Sequence, residues 1–369
     1  MRKHAERKGL RQKHQGRRVQ AAAALGVLMA SVLAGCGLGE GDMAARYPNG
    51  EVKVYNWGEY IDEELIDQFQ EEYGIRVIYD TFTTNEEMFP KLQAEPGMYD
   101  VVCPSDYMIE KMIQYDMVQP LDKDKLPHYD NMGTAYLEKM EEFDPGNQYA
   151  LPYTWGTVGI LYNTSMVQEP VDSWDILWDE TYENEIIMQD SVRDAFMVAL
   201  KRLGYSCNTT DEGQLEEAMV TLRDQKRLVK AYAIDEVRDK MIDEAAALGV
   251  IYSGEYLYCK EENPQLAYAV PQEGSNIWFD GWVITSGAQN VDNAHKWLDF
   301  LCTAEAAYKN FEYITYATPN TAAQEMIAAE YLEDPGVFAD EETIGRCEVY
   351  RYLGDEMDNI YYEFWKKVK

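Results

Sequence analysis

Apolar and polar residues in the N-terminal third alternate between two periods, which predicts strands that are each followed by a helix. Buried strands are predicted at residues 52–57, 75–82 and 99–105. Amphipathic helices, with apolar residues three or four positions apart, are predicted at residues 61–74, 85–93 and 106–118. The order strand, helix, strand, helix predicts a parallel sheet with right-handed helical crossovers.

The rest of the chain predicts a second block of the same kind. Strands are expected at residues 159–163, 185–190, 248–256 and 266–285. Helices are expected at residues 191–205, 214–232, 293–311 and 356–369, with a short helix and turn at 173–182. No long low-complexity linker separates the two blocks, which predicts an α/β protein of two lobes between which the chain crosses more than once.

The first 36 residues follow a different pattern. Residues 1–20 are basic, residues 21–35 are apolar but too short for a comfortable membrane span, and Cys36 follows. This order is typical of a secretory signal. The ending LAGC resembles a bacterial lipoprotein signal, which implies that Cys36 becomes the lipidated N-terminus. The alternative is an ordinary signal with an incidental cysteine. Residues 37–50 are interpreted as a flexible tether.

Removal of this signal makes the chain strongly acidic. Residues 1–36 contain eight of the 33 basic and one of the 66 acidic side chains, so the remainder holds 25 and 65, a net charge of −40. Nucleic acid is disfavoured as a partner because phosphate binding needs a basic surface. An acidic surface is compatible with a cationic ligand, although it often serves only solubility.

The residues that usually carry out catalysis or hold metals are sparse. Beyond Cys36 the five cysteines form no CxxC pair, and the sequence leaves open whether any are in disulfides. His128 and His295 are the two histidines beyond the signal and lie far apart. Histidine-based catalysis and histidine-rich metal sites are therefore disfavoured, and no metal or cofactor is expected.

Aromatic and acidic residues lie side by side at predicted strand ends and turns. Four such clusters lie at residues 57–60, 105–107, 252–255 and 278–280. Aromatic faces beside carboxylates suit an ammonium on a methylene chain, because the rings attract the cation and the carboxylate accepts its N–H bonds. Taken singly, each cluster is also explained by core packing or helix capping. Ligands of parallel sheets bind beyond the carboxyl ends of the strands, where these clusters are expected to meet.

Six motifs resemble the spermidine/putrescine-binding proteins of bacterial ABC importers. They read VYNWGEYIDEELIDQFQEEYGIRVIYDTF, YDVVCPSDYMIEKM, PLDKDKLPHYDN, LPYTWGTVGILYN, WFDGWVI and YATPN, and the match extends from about residue 52 to the C-terminus. The resemblance implies a two-lobed periplasmic-binding-protein-like (type II) fold, in which each lobe is a mixed, mainly parallel sheet flanked by helices. The ligand cleft then lies between the lobes. Lobe boundaries are expected at 51–153 plus 279–320 and at 154–278 plus 321–369.

The resemblance also implies the ligand-binding residues. They are Trp57, Glu59, Tyr60, Ser105, Tyr107, Asp190, Ser191, Asp194, Tyr252, Glu255, Trp278, Asp280, Tyr316 and Arg351. Ser191 stands where spermidine-preferring members have an aspartate, and Tyr252 replaces a usual tryptophan. Glu255 aligns with an acid of putrescine-preferring members. Arg351 lies near a glutamine of the family and would repel an amine, so it is expected to pair with an acid or to point away.

The predicted function is capture of putrescine, spermidine or both outside the cytoplasm, and delivery to an ABC permease in the membrane. The protein is expected to be a monomer without enzymatic activity, anchored by lipid to the outer face of the cytoplasmic membrane. Alternatives are a receptor for a basic amino acid or a betaine, whose carboxylate Arg193 or Arg351 would bind. A surface glycosidase with paired carboxylates and a sensor or adhesin on the same fold are further alternatives.

Overall fold

A mixed sheet of ten strands lies at the centre of the protein in the computed structural model, which describes residues 45–234 and 236–369. The strands are β1 (Glu51–Trp57), β2 (Arg76–Phe82), β3 (Val101–Val102), β4 (Val118–Gln119), β5 (Ala150–Asn163), β6 (Ile186–Gln189), β7 (Val229–Ala233), β8 (Leu248–Tyr252), β9 (Leu266–Ala269) and β10 (Ile277–Thr285). Residues Tyr47–Lys369 form one unit. The predicted signal, Cys36 and most of the predicted tether lie outside the described residues.

Helices flank the sheet. The longer ones are α1 (Glu63–Tyr73), α2 (Asn85–Ala94), α3 (Asp106–Gln114), α4 (Thr134–Met140), α5 (Val192–Arg202), α6 (Glu212–Gln225), α7 (Glu236–Ile242), α8 (Ser253–Glu262), α9 (Val291–Leu301) and α10 (Ala304–Ile314). They are followed by α11 (Thr321–Gln324), α12 (Ala329–Leu332), α13 (Glu341–Arg346) and α14 (Asp355–Val368). In the described part of the chain no helix is long and apolar enough to cross a membrane.

Two parallel groups of strands meet at two long antiparallel strands. The strand order is β2-β1-β3-β10-β5-β8-β6-β7, with β4 beside β10 and β9 beside β5. The first triplet, β2-β1-β3, and the second triplet, β8-β6-β7, each contain only parallel pairs. Strands β10 and β5 are antiparallel to each other and to their neighbours in the two triplets. Both long strands therefore connect the two triplets through backbone hydrogen bonds.

Local sequence signals set the helix ends in the first triplet. The Asp62 carboxylate accepts a hydrogen bond from the Glu64 amide and begins α1, and Gly74 ends the helix at a φ of 60°. The Thr84 hydroxyl caps α2 through the amide of Glu87. The parallel pairing of the first triplet confirms the predicted strand and helix order.

The second block departs from its sequence prediction in five places. The strand expected at 266–285 is divided into β9 and β10, and the helix expected at 293–311 is divided into α9 and α10. The helix expected at 214–232 ends at Gln225, because residues Val229–Ala233 pair with β6 as strand β7. The strand expected at 248–256 ends at Tyr252, and α8 begins at Ser253. Strand β5 is 14 residues long, whereas only its last five were predicted. The extent of β5 and the strand character of β7 reflect pairing with distant strands, which local periodicity does not report.

Hydrophobic cores cover both faces of each triplet. Around the first triplet, Phe69 of α1 and Trp297 of α9 share one cluster, and Met108 of α3 lies in another. Around the second triplet, Phe196 of α5 shares a cluster with Trp365 of the C-terminal helix α14. Sheets covered by helices on both faces are typical of α/β proteins. The five cysteines of the described residues are all buried free thiols.

Candidate functional site

Six of the predicted site residues lie in one connected group beside the long strands between the two triplets: Tyr60, Asp194, Tyr252, Trp278, Asp280 and Tyr316. Tyr60 follows β1, and Ser105 stands at the N-cap position of the helix that follows β3, so both lie beyond the carboxyl ends of parallel strands. Asp280 of β10 forms an isolated backbone bridge with Ser105. Trp278 precedes it on the same face of the strand, since side chains alternate along a strand. The long strand β10 thus carries an aromatic ring and a carboxylate towards the strand ends of the first triplet.

Asp280 lies at one end of the site, with hydroxyl donors as its partners. The Tyr60 hydroxyl donates to Asp280 Oδ2 at 2.6 Å and lies 2.5 Å from the Thr154 hydroxyl oxygen. Asp280 and Tyr60 are each more than nine-tenths buried. Burial raises the pKa of Asp280 to about 6, and hydrogen bonds from Tyr60 and Ser105 oppose that rise. Burial also raises the pKa of Tyr60, so its hydroxyl stays neutral and donates.

Asp194 lies at the other end of the site and likewise accepts hydrogen bonds from hydroxyl groups. The Tyr252 hydroxyl donates to Asp194 Oδ2 at 2.7 Å, and the Tyr350 hydroxyl donates to Oδ1 at 2.9 Å. Asp194 stands in the first turn of α5, whose N-cap is Ser191. Among the described residues, neither Asp194 nor Asp280 forms an ion pair with a lysine, arginine or histidine.

Aromatic rings connect the two carboxylates. Trp278 packs edge-on against Tyr252 with a distance of 6.4 Å between ring centroids. The ring centroids of Trp278 and Tyr316 are 5.6 Å apart. Tyr316 in turn packs edge-on against Tyr60 at 5.3 Å. The rings form a continuous wall from the tyrosine that binds Asp194 to the tyrosine that binds Asp280. We call Tyr252, Trp278, Tyr316 and Tyr60 the aromatic wall.

A further buried acid lies beside the site. Asp106, which has no exposed surface, accepts hydrogen bonds from the backbone amides of Tyr107 at 2.7 Å and Phe279 at 3.2 Å. Burial raises its pKa well above the ordinary value. The two oxygens of Asp106 thus connect the first turn of α3 to strand β10 and fix the two elements relative to each other.

Three predicted site residues are engaged in ion pairs. Asp190 is exposed and bonds Lys369 Nζ at 2.7 Å. Glu255 Oε2 lies 3.1 Å from Arg238 Nη1. Arg351 Nη2 and Nε bond the two oxygens of one acid, Glu110, at 2.6 and 3.0 Å. The expectation that Arg351 would pair with an acid is confirmed.

Trp57, Glu59 and Tyr107 lie at or just beyond the carboxyl ends of strands in the first triplet. Trp57 is half-buried against Phe82, with a centroid distance of 4.5 Å. Tyr107 donates from its hydroxyl to Glu86 at 2.9 Å. Glu59 is exposed in the turn after β1, where it adopts a φ of 56°. This left-handed conformation is unusual for a residue with a Cβ and points to a constrained turn.

Sequence reasoning missed three residues that shape the site. Thr154 contacts the Tyr60 hydroxyl, Tyr350 binds Asp194, and Arg238 binds Glu255. Thr154 lies inside the motif LPYTWG, and Tyr350 directly precedes Arg351, so proximity to recognised motifs was an available signal. For Arg238 no local signal exists, because its partner is 17 residues away in another helix. No group of three or more metal-ligating side chains in the described segments could hold a metal ion.

Comparisons with known proteins identify the family. The model of the bacterial extracellular solute-binding proteins matches residues 64–339. A spermidine/putrescine-binding periplasmic protein of Salmonella typhimurium is 35% identical over 323 residues, which cover 87% of this chain and 92% of that protein.

Two solved structures share the fold. The spermidine/putrescine ABC transporter substrate-binding protein of Streptococcus pneumoniae is 40% identical, with a TM-score of 0.78, and covers 87% of this chain and 100% of its own. A putative spermidine/putrescine ABC transporter protein of Listeria monocytogenes is 39% identical, with a TM-score of 0.80, and covers 86% and 98%. The predicted two-lobed α/β fold is thereby confirmed. The chain belongs to the bacterial extracellular solute-binding proteins and, among them, to the family of the spermidine/putrescine-binding periplasmic proteins.

Proposed function

We propose that this protein captures a linear polyamine, putrescine or spermidine, and delivers it unchanged to an ABC permease. The observation that carries the proposal is the pair of buried carboxylates, Asp194 and Asp280, joined by the aromatic wall. Neither carboxylate is in an ion pair within the described chain, so both are available to the positive charge of a ligand. The relatives' names support the same ligand class.

Each end of the site would bind one ammonium group. A carboxylate has about four lone-pair positions, and Asp194 uses two of them on the hydroxyls of Tyr252 and Tyr350. The remaining positions can accept ammonium N–H bonds. The rings of the aromatic wall would cover the methylene chain, and each well-placed cation–π contact contributes about 0.5–2 kcal/mol.

The lobe boundaries are proposed as 51–153 plus 279–320 and 154–278 plus 321–369. Asp194 then lies in the second lobe and Asp280 in the first, so a ligand that binds both carboxylates stabilises the closed arrangement. Closure also removes the ligand from water, which strengthens its charge interactions. We further propose that Cys36 carries the lipid that anchors the protein outside the cytoplasmic membrane. A Cys36→Ser variant should then appear in the soluble fraction instead of the membrane fraction.

A basic amino acid or a betaine is a weaker candidate because its carboxylate needs a cationic partner. The Arg193 guanidinium is engaged by the Cys207 carbonyl, the Asn208 side chain and the ring of Tyr350. Glu110 accepts hydrogen bonds from Nε and Nη2 of the Arg351 guanidinium. Neither arginine is therefore available to bind a ligand carboxylate without breaking these contacts.

Isothermal calorimetry on the purified chain tests the proposal. Putrescine and spermidine are titrated separately, with arginine and a neutral sugar as controls. Binding of one or both polyamines and of neither control is the expected result. Absence of heat with both polyamines would overturn the ligand assignment. Recovery of chemically altered ligand after incubation would contradict a receptor and favour a surface enzyme.

A further inference from the structure

Glu255 was expected to bind the ligand, but both oxygens of its carboxylate contact other side chains of the protein. Its Oε2 accepts a hydrogen bond from Arg238 at 3.1 Å, and its Oε1 accepts one from the Tyr316 hydroxyl at 3.0 Å. The side chains of Glu255 and Arg238 are 23% and 25% exposed, so the pair is largely shielded from water. The negative charge of Glu255 is balanced within the chain, in contrast to Asp194 and Asp280.

Tyr316 depends on Glu255 and its neighbour for its position. A Cβ added at Gly254 would lie 2.3 Å from the Tyr316 ring, so the ring packs directly on the first turn of α8. The hydroxyl of the same ring is tied to Glu255. Tyr316 in turn separates Trp278 from Tyr60 in the aromatic wall. Movement of this ring would therefore interrupt the wall between the two carboxylates.

We propose that Glu255 is a positioning residue that fixes Tyr316, and that Arg238 withholds the Glu255 charge from the ligand. The inference rests on the proposed function and refines it. The site then offers two buried carboxylates for ammonium groups, Asp194 and Asp280, and Arg238 prevents α8 from supplying a third. Arg238 thereby acts as a determinant of how many ammonium groups the site accommodates.

Two substitutions of Glu255 separate positioning from direct charge recognition. Glu255→Gln keeps an oxygen that accepts from the Tyr316 hydroxyl but removes the charge, and Glu255→Leu removes both. A positioning role predicts that the Gln variant retains polyamine affinity within about threefold and that the Leu variant loses about tenfold or more, because the partly buried Tyr316 hydroxyl loses its acceptor. Equal large losses in both variants would overturn the proposal.

Arg238→Gln tests the second half of the proposal. It leaves Glu255 unpaired beside the aromatic wall, so the affinity ratio of spermidine to putrescine should rise by about tenfold. The double variant Arg238→Gln with Glu255→Gln should return to the wild-type ratio. Arg227→Gln, which breaks an exposed pair with Glu180, serves as the matched control and should not change the ratio.

The outcomes distinguish this inference from the proposed function. If the wild-type chain binds neither polyamine, the proposed function fails, and the inference fails with it. If the wild type binds but Arg238→Gln leaves the ratio unchanged, the withholding role of Arg238 is wrong while the polyamine function stands. Thermal unfolding of each variant identifies any loss of binding that comes from misfolding, and the Arg238 measurements do not depend on the Leu variant.

Discussion

Arg351 donates two hydrogen bonds to Glu110, from Nη2 to Oε1 at 2.6 Å and from Nε to Oε2 at 3.0 Å. Glu110 lies on α3, which packs on the first triplet, and Arg351 precedes α14, which packs on the second. The Tyr352 amide also donates to Glu110, and Lys111 bonds Asp355 at 2.7 Å. These polar contacts join the two proposed lobes beside the site.

We expect Glu110→Gln to speed ligand release, because contacts between the two proposed lobes would stabilise the proposed closed arrangement. Arg351 is 42% exposed, so the pair contributes about 0.2–1 kcal/mol, which corresponds to a few-fold change in the dissociation rate. This rate is measured by stopped-flow dissociation of putrescine at two salt concentrations. The control Lys366→Gln removes an exposed pair with Glu363 within α14. An unchanged release rate in the Glu110 variant would contradict a role in closure.

Asp280→Asn should weaken polyamine binding by about tenfold or more. The substitution preserves shape but removes the charge, and a hydrogen bond to a charged group contributes about 1.5–3 kcal/mol. Calorimetry with the better of the two polyamines gives the affinity. Asp292→Asn, at an exposed aspartate that pairs with Lys125, is the control and should bind normally. Normal affinity of the Asp280 variant would show that the ammonium binds elsewhere.

The pH dependence of binding should follow Asp280. Burial raises its pKa from 3.8 to about 6, so its ionisation costs folding free energy, and the cost grows as pH rises between these two values. An alkylammonium has a pKa of about 10 and stays charged throughout. Since the ammonium needs the ionised carboxylate, affinity should fall as pH is lowered from about 7.5 to about 5. Asp280→Asn should flatten this dependence, and a steep fall retained in that variant would implicate another group.

Gly254→Ala should lower affinity without unfolding the protein. The added Cβ would lie 2.3 Å from the Tyr316 ring, and an aromatic ring relieves such a clash only by moving as a whole. Alanine otherwise favours a helix by about 1 kcal/mol over glycine, so the α8 backbone tolerates the change. We expect a loss of about tenfold in polyamine affinity by calorimetry, as for the loss of a buried contact. In Gly345→Ala of α13 the Cβ meets no neighbour within 4 Å, and binding should not change.

The sequence alone determined the alternation of strands and helices in the first triplet. Asp62, Gly74 and Thr84 act on neighbours a few residues away, so their capping roles are local and readable. The resemblance also predicted Asp194, Asp280 and the four rings of the aromatic wall as parts of one site. Their mutual contacts in the structure follow from strand ends meeting at one edge of each triplet.

Only the tertiary structure decided which acids remain available to a ligand. The sequence does not distinguish Asp194, Glu255 and Asp280 from one another. In the structure, Arg238 neutralises Glu255, whereas hydroxyl groups donate hydrogen bonds to the other two carboxylates. The same applies to β7, whose helix-like sequence becomes a strand because β6 offers a partner. In both cases the deciding interaction comes from a segment on another element. A local pattern encodes the chemistry of a side chain, whereas its charge balance and backbone pairing depend on which distant groups the fold brings next to it.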